Sequence, residues 1–336
     1  MSKMMSSIGK INRIEKVPLP PDQAKAARST KIPLITTRLP QIDYLNIFKG
    51  LTVLFIGDNT IRTIYKDFCS VLKYDRLLDY TEAARQHGQY KPVQDERVLL
   101  SDGKIGTDQY RDIKEFFLKD NSTRLIFVYI ATIFDGIAQC NLEYLKTTDQ
   151  SLSIDVIVFS SYVNDMNKKK IDLSKQNIGS YFDKYLSHLG DFSTYLSKFC
   201  SVPNKTQHYF WMTPLPQPFH MSPIKESQFE QHIKDAFHTV KVDTFIQFDR
   251  YDIWKRRKDL TIAENGYFSL HGIREVSDSF TRFLAVKLNR YFTSSIALPI
   301  TPLSYLNDKS VVHNDCSKQT TTISLSKSNR YHPYNH

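Results

Sequence analysis

Long apolar runs are missing from this 336-residue chain. The best are Val53 to Ile56 and Val156 to Phe159, far below the roughly 18–20 residues that a bilayer-crossing helix needs. Also missing are a Gly-x-Gly-x-x-Gly turn, a Gly-x-x-x-x-Gly-Lys-Ser/Thr loop and a His-Glu-x-x-His helix, which excludes the usual dinucleotide, P-loop and zinc-protease readings. Cysteine is scarce: Cys69, Cys140, Cys200 and Cys316 stand far apart with no Cys-x-x-Cys pair, so neither a disulfide framework nor a zinc site is expected. They should be reduced thiols, the first two buried. Residues 1–17 mix Lys3, Lys10, Arg13 and Lys16 with polar residues and hold no continuous apolar stretch, so they do not read as a secretory signal. A cytoplasmic or nuclear protein without a cofactor is the expectation.

What is present is charge of one sign, unevenly placed. The net charge is +10, and residues 1–40 carry eight Lys and Arg against Glu15 and Asp22. Such an arm attracts polyanions without sequence selectivity. More often it is simply solvated, so nucleic-acid contact is confined to this arm and, as a second basic site, Lys255 to Lys258 behind Trp254. The same arm is rich in proline, and residues from about 300 onward are rich in Ser, Thr, Asn and Lys. Residues 1–44 and 297–336 therefore read as disordered flanks of one core domain over 45–296.

Within the core, short β-branched runs alternate with longer segments of helical period, the sequence signature of a parallel sheet covered by helices. Strands are predicted at Thr52 to Ile56, Arg124 to Ile130, Asp155 to Ser160, His208 to Thr213 and Asp243 to Phe248. Helices are predicted at Ile61 to Leu72, Thr107 to Phe117, Ile178 to Phe199, Glu226 to Thr239 and Ile273 to Phe292. In the last helix Val276, Phe280, Phe283, Leu284 and Leu288 recur at three- and four-residue spacing and form a core face rather than a cofactor box.

Ligands of an open parallel sheet bind beyond the carboxyl ends of its strands. The first such end, Phe55-Ile-Gly-Asp-Asn-Thr-Ile-Arg62, turns at Gly57 straight into a helix that Asp58, Asn59 or Thr60 can cap. That geometry suits a nucleophile and an oxyanion, and equally suits a plain cap.

Gly57, Asp58, Arg62, Tyr65, Lys66 and Asp67 resemble the opening block of the PC-esterase domain-containing family, Gly-Asp-Ser-x-x-Arg-x-x-Tyr-Lys-Asp, with Asn59 at the serine. Further blocks are similar to that family's: Leu99 to Gly106, Gln109 to Phe116, Asp155 to Met166 and Tyr209 to Pro216. The resemblance, running from residue 57 to residue 274, implies an SGNH-hydrolase fold: α/β, three-layered and doubly wound, with a flavodoxin-like parallel sheet of about five strands. It implies a pocket lined by Asp58, Asn59, Arg62, Gly103, Asn164 and Asp165, in which Gly103 offers a backbone amide and Asn164 a side-chain amide to an oxyanion.

The family's closing block, Asp-Gly-Val-His-Trp, supplies the aspartate and histidine that activate the serine. Its counterpart lies in Ala263 to Arg274, in one of two registers. One sets Asn265 and Phe268 at those positions, the other Glu264 and Tyr267, so neither supplies a histidine. His271 is the nearest imidazole and falls at the start of the final helix. An asparagine can neither attack nor accept the proton, and losing serine or histidine alone costs on the order of 10⁶ in kcat in a well-studied hydrolase. Three readings remain open. The first is an inactive relative that binds a small acyl or ester-like ligand, or an unknown protein partner, with Tyr267 or Phe268 in the pocket. The second is an esterase or acyltransferase with a relocated nucleophile, Thr60 or Cys69. The third is a scaffold acting through the basic arm.

Overall fold

A computed structural model describes residues 38–83, 92–134, 136–166, 177–199, 205–216, 224–240, 245–262 and 267–294. The expected flanks at 1–37 and 295–336 lie outside these residues, as do Cys200 and Cys316.

In chain order the elements are α1 (Gln41–Phe48), β1 (Thr52–Gly57), α2 (Asn59–Tyr74), β2 (Arg97–Asp102), β3 (Arg111–Leu118) and β4 (Thr123–Tyr129). There follow α3 (Ile137–Thr148), β5 (Val156–Phe159), α4 (Ile178–Leu196), β6 (His208–Met212), α5 (Glu226–Thr239), β7 (Phe245–Phe248), α6 (Arg250–Arg256) and α7 (Leu270–Lys287). One seven-stranded sheet has the order β2-β3-β4-β1-β5-β6-β7. The five strands from β4 to β7 are parallel. Counted in chain order they run 2-1-3-4-5, the flavodoxin-like arrangement of doubly wound sheets. The β2–β3 hairpin extends the sheet antiparallel beyond β4, adding two strands to the five expected parallel ones.

The three layers are visible in the alternation along β3. Asp112 turns to one face and pairs with Arg62 of α2 at 3.2 Å. Its neighbour Arg111 turns to the other and donates from Nε to Asn141 of α3 at 2.6 Å. Helices α1, α2 and α7 pack together on the first face. Their shared centre is Phe68, whose ring meets Tyr44, Phe48, Phe55 and Phe280 at 5.0–6.1 Å between centroids. Phe280 of α7 in turn meets Phe210 and Phe248 of the sheet edge-on, so the stripe predicted from its spacing does bury against the strands. Leu39, Asp43 and Tyr44, on the far side of the expected boundary at residue 45, are buried in this core.

The helix predicted at Thr107 to Phe117 is instead the loop before β3 and most of the strand itself. Its charged residues suggest a solvated helix face, yet Asp112, Lys114 and Glu115 are all buried. Strand neighbours neutralise them: Lys114 approaches Asp112 at 3.7 Å, while Arg97 of β2 and Arg124 of β4 reach Glu115 at 2.9 and 3.1 Å. Pairing with two strands, which no local pattern encodes, overrides the helical spacing. Among the cysteines, Cys69 is buried as expected but Cys140 is exposed on α3.

Candidate functional site

In this strand order the connections from β1 and β5 leave toward opposite faces, opening a crevice at the carboxyl ends of those two strands. The loops after β1 and β5, both singled out in the sequence, flank it.

The β1 turn is tight because Gly57 has no side chain. A Cβ there would lie 2.5 Å from Ile61 Cγ1 and 2.9 Å from the Ser160 carbonyl of the neighbouring loop. Asp58 caps α2, its Oδ1 accepting from the Thr60 amide at 2.8 Å and the Thr60 hydroxyl at 2.6 Å. The Thr60 hydroxyl also accepts from Nη1 of Arg250 at 3.1 Å, whose Nε donates to the Thr213 carbonyl at 3.0 Å. A buried guanidinium thereby ties the ends of β6 and β7 to the β1 turn. Asn59 follows the cap, half-buried, and among the described residues its side chain makes no hydrogen bond. Arg62, one turn further, is buried under the sheet between Asp112 and the rings of Phe127 and Tyr129, at 5.5 and 5.0 Å.

The β5 loop is held by Asp165. Its Oδ1 accepts from the Thr132 hydroxyl at 2.7 Å and the Ile133 amide at 2.9 Å, and its Oδ2 from the Tyr162 amide at 2.9 Å. The carboxylate thus clamps the loop after β4 to the loop after β5. Tyr162 carries the strain of this turn, with φ of 126°, a region nearly reserved for glycine. Its phenol sits 2.9 Å from His232 Nδ1, and His232 stacks on Phe182 at 3.6 Å. Burial raises the Tyr162 pKa and lowers that of His232, so both are neutral near pH 7. Asn164 lies half-buried in the turn between Tyr162 and Asp165, its side-chain amide without a hydrogen bond among the described residues.

Gly103 takes φ of 77° in the β2–β3 turn, where a Cβ would collide with the Gln109 carbonyl. It is exposed, its N–H donates to Asp102 Oδ1 at 2.7 Å, and its hairpin lies on the far side of β4 from β1. The block before α7 is described only in part, Glu264 and Asn265 lying outside the described residues. Phe268 is buried, bridged to Thr261 and packed on Gly272, where a Cβ would meet its Cδ1 at 2.8 Å. Tyr267 is half-buried, its carbonyl accepting from the Ile262 amide at 2.7 Å. His271 is exposed on α7 and lines a separate cleft with Arg257 and Arg274.

Among the described residues neither candidate replacement nucleophile bonds a histidine. The Thr60 hydroxyl is engaged by Asp58 and Arg250, and burial pushes the Cys69 thiol well above its ordinary pKa, which suppresses the reactive thiolate. Among the described residues no histidine bonds Asp58, Asn59 or Thr60, and no three His, Cys, Asp or Glu side chains gather as a metal site. The basic run on α6 is largely neutralised. Lys255 pairs with Glu230, Arg256 with Asp252, and Arg257 with Asp259, while Lys258 lies over the Trp254 ring. Arg250, Thr213, Tyr162 and His232 were not foreseen. Arg250 had a usable signal, since it follows the β7 strand end; the strained tyrosine and its imidazole, 70 residues apart, had none.

No family model matches this chain, and no curated protein matches it. Among solved structures it is similar to Axe2, an acetylxylan esterase from Geobacillus stearothermophilus, at 14% identity and TM-score 0.40, over 71% of this chain and 96% of that one. It is also similar to LAE5, an alpha/beta hydrolase enzyme from the metagenome of Lake Arreo, Spain, at 10% identity and TM-score 0.41, over 71% and 98%. The strand order alone defines the class: a three-layer, doubly wound, flavodoxin-like α/β fold, as expected of an SGNH-type scaffold. No helix among the described residues is long and apolar enough to cross a membrane.

Proposed function

We propose that this chain is a PC-esterase-like, SGNH-fold protein that has lost hydrolysis and binds a small acyl or ester-like ligand, or a partner presenting one, in the crevice between the β1 and β5 loops. The observation that carries this reading is Asn59: an amide stands at the first turn of α2, where the matching sequence block has a serine. Tyr267 and Phe268, the two candidates for the base position, are aromatic, and neither can take a proton at neutral pH.

What remains suits recognition. The side chains of Asn59 and Asn164 each carry amide hydrogens that no other described residue engages, and such donors suit a carbonyl or oxyanion acceptor. Asp58, Asp165 and Arg250 hold the turns that carry them. Pre-formed donors on fixed turns bind without first paying to order a loop.

The test is hydrolysis of p-nitrophenyl acetate by the full chain, beside Asn59→Ala and the double variants Asn59→Ser with Phe268→His and Asn59→Ser with Tyr267→His. No saturable turnover is expected from the unmodified protein, and a gain in one double variant would identify the register. Saturable turnover by the unmodified chain overturns the reading; if it survives Asn59→Ala, the nucleophile lies elsewhere. Thermal shift with a short acyl amide reads binding, which Asn164→Ala should weaken.

A further inference from the structure

A second cleft, of about 260 Å³, lies against α7. It has several times the room of one water, whose share of liquid volume is about 30 Å³. Its floor is the α7 stripe His271, Arg274, Glu275 and Asp278, which helical geometry sets on one face. Leu77 and Leu260 form apolar walls, and Arg38 and Arg257 complete the lining.

The guanidinium groups here are incompletely used. Arg274 is buried and grips Asp67 through Nε and Nη2 at 2.7 and 2.8 Å, while its Nη1 is enclosed with no hydrogen-bond partner among the described residues. A buried donor left in that state is unfavourable and gains from an incoming acceptor. Arg257 commits Nε and Nη2 to Asp259, but its Nη1 only approaches Glu275, at 3.7 Å. Arg38 stands 3.8 Å from Asp75, with about half of each side chain exposed. A long, solvent-exposed pair of this kind contributes little, so an incoming acceptor displaces it at small cost. The three guanidinium groups outnumber the Glu275 and Asp278 carboxylates of the same leucine-walled lining, and their planar N–H pairs match a carboxylate or a phosphate, whose oxygens accept paired N–H bonds.

We infer that the cleft between α7, Leu77 and the 257–260 turn is a binding site for a small oxyanion, carboxylate or phosphate, held by Arg38, Arg257 and Arg274. It is a different site from the β1–β5 crevice and does not depend on any reading of that crevice. Arg274 supplies the buried anchor, and Arg257 and Arg38 close over the anion at the mouth beside His271.

Calorimetric titration of the full chain with sodium phosphate, and separately with sodium acetate, at fixed ionic strength in chloride buffer tests this. One-site saturable binding of at least one of them is expected, weakened about fivefold in Arg38→Ala and in Arg257→Gln. Saturation by phosphate alone identifies a phosphate site, by acetate alone a carboxylate site, and by both a general oxyanion site. Arg38 is half-exposed, so its variant decides the matter even if Arg257→Gln fails to fold. Absence of saturation with both anions, or unchanged affinity in a folded Arg38→Ala protein, overturns the inference.

Discussion

Replacing Asp165 separates a clamp from a ligand contact. Its carboxylate accepts from the Thr132 hydroxyl and from the backbone amides of Ile133 and Tyr162, and the residue is 2% exposed. Asp165→Ala strands these donors at about 1–3 kcal/mol each. Local relaxation and entering water recover part of that, so a loss of about 3–5 kcal/mol is expected, in the range seen when a buried polar network is broken. Asp165→Asn keeps one carbonyl oxygen for Thr132 and Ile133 but turns an N–H group toward the Tyr162 amide, so about 1–3 kcal/mol is expected. Tyr162 sharpens the difference, because its positive φ is held in place partly by that lost bond. Urea unfolding followed by circular dichroism measures both variants, as a fall in the midpoint at constant slope. A loss below about 1 kcal/mol for alanine, or an asparagine variant as damaged as the alanine one, would refute the clamp.

Phe280→Ala removes the ring that joins Phe68, Phe210 and Phe248 and should cost about 3–5 kcal/mol, read as a lowered Tm by calorimetry. The Asp278 carboxyl is pushed up to about 7, chiefly by burial and against the opposing effects of its Tyr44 hydrogen bond and Arg274. Its ordinary value is about 3.9, so the folded state holds the extra proton. Its contribution to stability therefore falls as pH rises from about 4 to about 7 and is flat above that. The difference in unfolding free energy between the wild type and Asp278→Asn should follow this slope across about pH 4–8, and a pH-independent difference would count against it.

The fold was legible where segments were long or buried on both faces. β1, β4, β5, β6 and α5 stand close to their predicted limits, because a parallel strand between two helical layers must be apolar at nearly every position. β2 and β3 were not legible. Their charges are neutralised by residues of neighbouring strands, and local spacing carries no record of that pairing. α1, α3 and α6 were missed for a related reason: short or mixed-polarity helices take their stability from the surface they cover rather than from their own period.

For the candidate site, the sequence by itself determined the chemistry available: Asn59 after Gly57-Asp58, Asn164-Asp165 after the third parallel strand, and the aromatic pair Tyr267-Phe268 ahead of the final helix. These follow from residue identity, which folding cannot alter. Tertiary structure alone decided what each group is free to do. Asp58 and Asp165 are committed to holding turns, Arg62 to the buried pair with Asp112, and Gly103 to its own hairpin, whereas the Asn59 and Asn164 amides are left unengaged among the described residues. Arg250 reaches the β1 turn across 190 residues of chain. Hydrogen bonds form between atoms brought together by the packing of whole strands and helices, and that proximity is a property of the closed fold.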